Sequence, residues 1–67
     1  MESASNGKRI RAYRKLKGYT QEGFAKEIGI SVSVLGEIER GQRLPSELML
    51  EKMSNVLNIS QLELLSK

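Results

Sequence analysis

Along the 67-residue chain, apolar residues recur at spacings of three and four, broken at intervals by short polar or glycine-containing stretches. That period is helical, and no run alternates strictly enough to predict a strand. Five helices are expected. The first runs from about Gly7 to Lys17, with Ile10, Tyr13, Arg14 and Lys17 on one stripe and Gly18 as a left-handed stop. Thr20 offers an N-cap hydroxyl for a second helix, Gln21 to Ile28, whose inward face is Phe24, Ala25 and Ile28. After a break at Gly29-Ile30, Ser31 caps a third helix that reaches about Arg40, buries Leu35 and Ile38, and ends at Gly41. Ser46 caps a fourth, carrying Leu50, Met53 and Leu57. Following Asn58-Ile59, the run Ser60-Gln61-Leu62-Glu63 reads as a capping box for a short fifth helix, with Leu62 and Leu65 facing inward or toward a partner. The expected fold is all-α and compact, with residues 1–6 a flexible N-terminal segment and residues 7–66 a single domain.

Within that pattern, residues 21–41 have the spacing of a helix-turn-helix. Two helices that cross steeply need a small residue where they touch, and Ala25 provides one. Gly29, four positions later, permits a turn of about three to four residues. Leu35 and Ile38 then fold back onto the second helix, leaving Val32, Ser33, Gly36 and Glu37 on the outer face of the third. An exposed helix of this diameter fits the major groove of B-DNA.

Composition narrows the chemistry. With no cysteine and no histidine, disulfides, thiol catalysis, the commonest metal ligands and the usual general base are all missing, so an enzyme is not expected, nor a metal site or cofactor. The longest apolar runs are three residues, against roughly 20 for a membrane span. Met1 to Asn6 lacks the apolar centre of a signal peptide, and a cytoplasmic location is expected. The net charge of +3 is uneven. Residues 1–45 carry nine Lys or Arg against five Glu, giving +4; residues 46–67 carry two Lys against three Glu, giving −1. A basic front and a neutral rear suit a surface that meets a polyanion, although solvated helices often look similar.

Arg14, Lys17-Gly18, Thr20-Gln21-Glu22, Phe24-Ala25, Ile28-Gly29-Ile30-Ser31, Ser33, Leu35, Ile38-Glu39-Arg40-Gly41 and Pro45-Ser46 together carry a family resemblance. From Ile10 to Leu65 the chain resembles the lambda repressor/Cro-like helix-turn-helix proteins, also called the xenobiotic-response-element family. The Ile-Glu-Arg-Gly run after a Gly-Ile-Ser turn is the most specific part. The resemblance implies a lambda-repressor-like five-helix fold, a bacterial or phage origin, and a sequence-specific double-stranded DNA-binding transcriptional regulator, a repressor before an activator. It places Gln21 at a phosphate and against the recognition helix, and Ser31 and Ser33 where they can donate to phosphates or base edges. Arg40 and Arg43 fall where similar proteins touch the flanking backbone. Arg14 and Glu39 fall where the family has a buried structural ion pair.

The departures from the family pattern lie on the outer face. Val32 has no donor but can touch a thymine methyl, and Gly36 replaces a hydrogen-bonding residue. Glu37 either accepts from cytosine N4 or pairs with Arg40 three positions on. Leu16 stands where the family has a polar residue. The Lys8-Arg9-Arg11 cluster is either a solvated helix end or a phosphate-facing patch, while Tyr13, Tyr19, Met49 and Met53 are read as packing. The expected partner is operator DNA, bound by a homodimer that pairs through the C-terminal helix with Leu62, Leu64 and Leu65. A chain this short has no room for an effector domain, so a ligand response would come from a separate effector domain or a partner protein. Two alternatives stand beside this reading: the DNA-binding module of a longer regulator, and a protein-interaction module that kept the fold but not the DNA.

Overall fold

In the computed structural model, residues 2–65 are described, and side chains from Asn6 onward. Five helices follow one another: α1 Glu2–Leu16, α2 Gln21–Ile28, α3 Val32–Glu39, α4 Glu47–Leu57 and α5 Gln61–Leu65. Helix α1 begins earlier than the expected Gly7, because nothing in Glu2-Ser3-Ala4 breaks a helix and Gly7 is held inside it. Met1, and the expected domain end at Ser66, lie outside the described residues.

The ends of these helices have local causes. The hydroxyls of Thr20, Ser31, Ser46 and Ser60 accept from the backbone N–H three residues on, at 2.9 to 3.2 Å. Each satisfies a donor that the first turn leaves without a partner. At the other ends, Gly18, Gly29, Gly41 and Asn58 take left-handed backbone angles. The residues after them return N–H groups to Arg14, Ala25, Glu37 and Ser54, the six-to-one closure of a Schellman motif. Helices of eight residues, marginal alone, are thereby given defined starts and stops.

The core is a single cluster: Ile10 of α1, Phe24, Ala25 and Ile28 of α2, Leu35 and Ile38 of α3, Leu50, Met53 and Leu57 of α4, and Leu64 of α5. Tyr13, Tyr19 and Met49 are partly buried against it, and the Tyr19 and Phe24 rings lie 5.6 Å apart. One expectation is corrected here. Leu64, not Leu62 or Leu65, is the buried leucine of α5, while Leu62 is 80% exposed. A single helical turn packed against α1 and α4 has room for one side chain at the core.

Gly7 is a second feature the apolar period does not reveal. It is buried, and a Cβ there would overlap the carbonyl oxygen of Ile38 and lie 2.8 Å from that of Glu39. Helix α1 therefore crosses the end of α3 at backbone contact, as only glycine allows. On helix propensity alone Gly7→Ala would stabilise the fold. Overpacking should win instead, with a net loss of about 1–3 kcal/mol, read as a lower denaturant midpoint at unchanged slope.

Candidate nucleic-acid interface

The interface is organised by one buried carboxylate. Glu39, at the end of α3, accepts from Arg14 Nε at 2.7 Å and Arg14 Nη2 at 3.2 Å, a two-pronged pair with both side chains buried. A third donor, Gln21 Nε2, reaches the same carboxylate at 3.0 Å. Arg14 spends its remaining arm, Nη1, on the carbonyl of Tyr19 at 2.8 Å. Helix α1, the α1–α2 loop, the start of α2 and the end of α3 thus meet at one point. Among the described residues, no buried side-chain nitrogen or oxygen is left without a partner.

This tie sets how α3 is presented. With Leu35, Ile38 and Glu39 facing inward, the opening turn of α3 stands outward and Ser31, Val32 and Ser33 are exposed. The Ser31 hydroxyl oxygen is used as the cap acceptor, leaving its proton to donate elsewhere. Gln21 keeps one amide proton and its oxygen beyond the bond to Glu39.

Two expected outer-face positions turn out differently. Gly36 is buried, because the Arg40 guanidinium occupies the space a side chain would fill: an ideal Cβ on Gly36 would sit 2.9 Å from Arg40 Nη1. Arg40 is steadied there by Gln42 Oε1, which accepts from Nε and Nη2 at 3.3 Å each. Glu37 pairs with Arg43 at 2.7 Å, not with Arg40. The reason is the turn at Gly41: Gln42 N–H returns to the Glu37 carbonyl at 2.8 Å and brings the following residue over Glu37. The carboxylate on the outer face is therefore neutralised by a half-exposed cation.

The basic cluster of α1 spreads over adjoining surfaces, with Lys8 and Arg11 sharing one shallow groove. Arg11 shares a polar cleft with Arg14, Gln21, Glu39 and Arg40, directly beside α3. Lys8 and Arg9 line a separate groove with Ala12, Tyr13 and Leu16, and Leu16 itself is 76% exposed. Sequence reasoning passed over Gln42 and did not separate Arg11 from its neighbours. The signal available was the period: Arg11 lies three positions before Arg14 and so on its face of the helix.

The matched family model is the helix-turn-helix family, over residues 10–64. The chain belongs to that family of DNA-binding transcriptional regulators, which are not enzymes. It is 67% identical over 64 residues to the uncharacterized HTH-type transcriptional regulator YazB of Bacillus subtilis (strain 168), covering 96% of this chain and 93% of YazB. To the HTH-type transcriptional regulator SinR of the same strain it is 47% identical over 55 residues, 81% of this chain but only 50% of SinR. A crystal structure of SinR, the master regulator for biofilm formation, in complex with DNA superposes with a TM-score of 0.85 at 44% identity, covering 91% of this chain and 98% of that one. Among the described residues, no helix is long and apolar enough to cross a membrane.

The buried pair makes a sharp stability prediction. Removing one partner strands the other charge and costs about 3–5 kcal/mol, comparable to all the stability a core of this size supplies. Arg14→Ala should lose the cooperative thermal transition followed by circular dichroism, and lose binding by unfolding. A normal melting curve accompanied by lost DNA binding would contradict the structural role.

Proposed function

We propose that this chain is a cytoplasmic, sequence-specific regulator of transcription, a repressor before an activator, that reads the major groove of duplex DNA with α3. The observation that carries the proposal is the opening turn of α3. Ser31, Val32 and Ser33 stand exposed on a capped helix whose other face is fixed in the core. Ser33 and the Ser31 hydroxyl can donate to base edges or phosphates, and Val32, 40% exposed, can meet a thymine methyl. Gln21, Arg40 and Arg43 flank this turn and supply backbone contacts, which give affinity and register but little sequence information. The family resemblance assigns the same roles.

The rival reading, a protein-interaction module, drew its weight from Gly36 and Glu37. Both objections to DNA weaken once Arg40 covers the first and Arg43 neutralises the second. DNA is therefore the preferred partner. SinR, of which the chain spans half, leaves room for the other alternative, a DNA-binding module within a longer regulator.

Recognition by one small helix covers few base pairs, so a two-fold dimer is proposed, with recognition helices about 34 Å apart on successive major grooves. Leu48 at the start of α4 is 60% exposed and lines one groove with Leu65 of α5, and Leu62 of α5 is also exposed; this side is the proposed dimer surface. Leu64 is in the core and contributes only indirectly. Leu62→Glu should leave the melting temperature nearly unchanged, shift sedimentation to the monomer and weaken operator binding. A wild-type protein that sediments as a strict monomer at high concentration, with and without DNA, would refute the dimer.

Selection of bound sites from random duplex DNA tests the function itself. An inverted-repeat motif should be enriched, and affinity for it should fall steeply between low and moderate salt as counterions are released. No enrichment, with a flat salt response, would favour the protein-partner reading.

A further inference from the structure

The geometry points to Gly36 as a positioning residue: its missing side chain forms a slot that fixes the Arg40 guanidinium as a phosphate ligand beside the recognition turn. The inference rests on the DNA-binding reading and deepens it by assigning how this chain compensates for a bare position at the centre of α3.

Three observations converge. Glycine inside an eight-residue helix is unfavourable, yet here the space above it is filled. The would-be Cβ lies 2.9 Å from Nη1 and 3.7 Å from both Cζ and Nη2 of Arg40, so the guanidinium, Nη1 foremost, occupies the space a side chain at position 36 would take. From the other side, Gln42 Oε1 accepts from Nε and Nη2, gripping the group between the helix and the following turn. A long arginine otherwise loses considerable rotamer freedom when it binds a phosphate, and holding it beforehand removes part of that cost.

The held group faces somewhere useful. Arg40 lines one cleft with Arg11, Arg14, Gln21 and Glu39. Arg14 and Glu39 satisfy each other, and Arg14 also donates to Tyr19, so the donors left for an incoming anion are those of Arg11, Arg40 and the second amide proton of Gln21. Three arginines against one glutamate make the cleft electropositive. A forked guanidinium with one edge on Gln42 retains Nη1 for a phosphate oxygen, a charge-assisted bond of the stronger kind. Position 36 thus acts through residue 40.

A coupling experiment tests this with four versions of the 67-residue chain: wild type, Gly36→Ala, Arg40→Gln and the double variant. Binding to one 30-base-pair duplex is followed by fluorescence anisotropy across a salt series, with a thermal melt for each protein. Gly36→Ala adds only a methyl against the flexible end of a side chain in a helix that prefers alanine, so its melting temperature should hold or rise. Its DNA affinity should nonetheless fall about fivefold, the scale of one weakened charge-assisted contact. Arg40→Gln should weaken binding and lower the logarithmic salt slope by about one. In the Arg40→Gln background, Gly36→Ala should change affinity no further. An equal loss in both backgrounds would mean that position 36 meets DNA directly, and no loss in either would mean the slot is idle; each overturns the inference. Failure of the wild type to bind the duplex even at low salt would overturn the DNA-binding reading, and this one with it.

Discussion

The way α3 is presented to solvent depends on a carboxylate that faces inward. Glu39 collects three donors, two from Arg14 and one from Gln21, at the place where α1, α2 and α3 converge. A small apolar core leaves helices free to slide and rotate to some extent, since apolar contacts are not directional. Hydrogen bonds to a fixed charge are directional, and a buried charge left unpaired is far more costly than the intact pair is stabilising. Rotation of α3 about its axis would break those bonds. Gly7 adds a steric limit on the same corner, holding α1 against the last carbonyls of α3.

The same corner connects fold to function. Gln21 braces Glu39 while keeping a donor beyond it, and Arg40 follows Glu39 directly in the chain. Fixing Glu39 therefore fixes where the next residue departs, and the Gly41 turn then brings Gln42 to Arg40 and Arg43 to Glu37. The Arg40 guanidinium fills the space that Gly36 leaves empty, and Arg43 pairs with Glu37; on the proposed DNA-binding reading, the outer face then presents no unpaired carboxylate to phosphates. If α3 reads DNA as proposed, its bare centre is served by a cation from the helix end.

Legibility in the sequence followed the range of the interactions. Thr20, Ser31, Ser46 and Ser60 cap through bonds three residues long, and Gly18, Gly29 and Gly41 close helices through equally local ones, so residue type at the right spacing was sufficient. The core of α2, α3 and α4 was legible because each helix is long enough to show its period. Helix α5 is not: one turn has no period, and only packing against α1 and α4 selects Leu64 over Leu62 and Leu65. The Glu37–Arg43 pair is not legible in the sequence, because the i, i+3 rule that points to Arg40 assumes that the helix continues, whereas α3 stops at Glu39 and the chain doubles back. Gly7 had no local signal, since what it touches is backbone on another helix. The Arg14–Glu39 contact, 25 residues apart, was expected from family resemblance and not from spacing.

On the proposed reading, α3 and the corner around Glu39 form the face that meets DNA, with the α4–α5 side turned away. Amide chemical shifts of the labelled protein, followed as a 20-base-pair duplex is added at low salt, test it most directly. Perturbations should concentrate at Gln21, Ser31 to Val34 and Arg40 to Arg43, with smaller changes along the Arg11 side of α1. Dominant perturbations on Glu47 to Leu65, with the opening turn of α3 undisturbed, would contradict it.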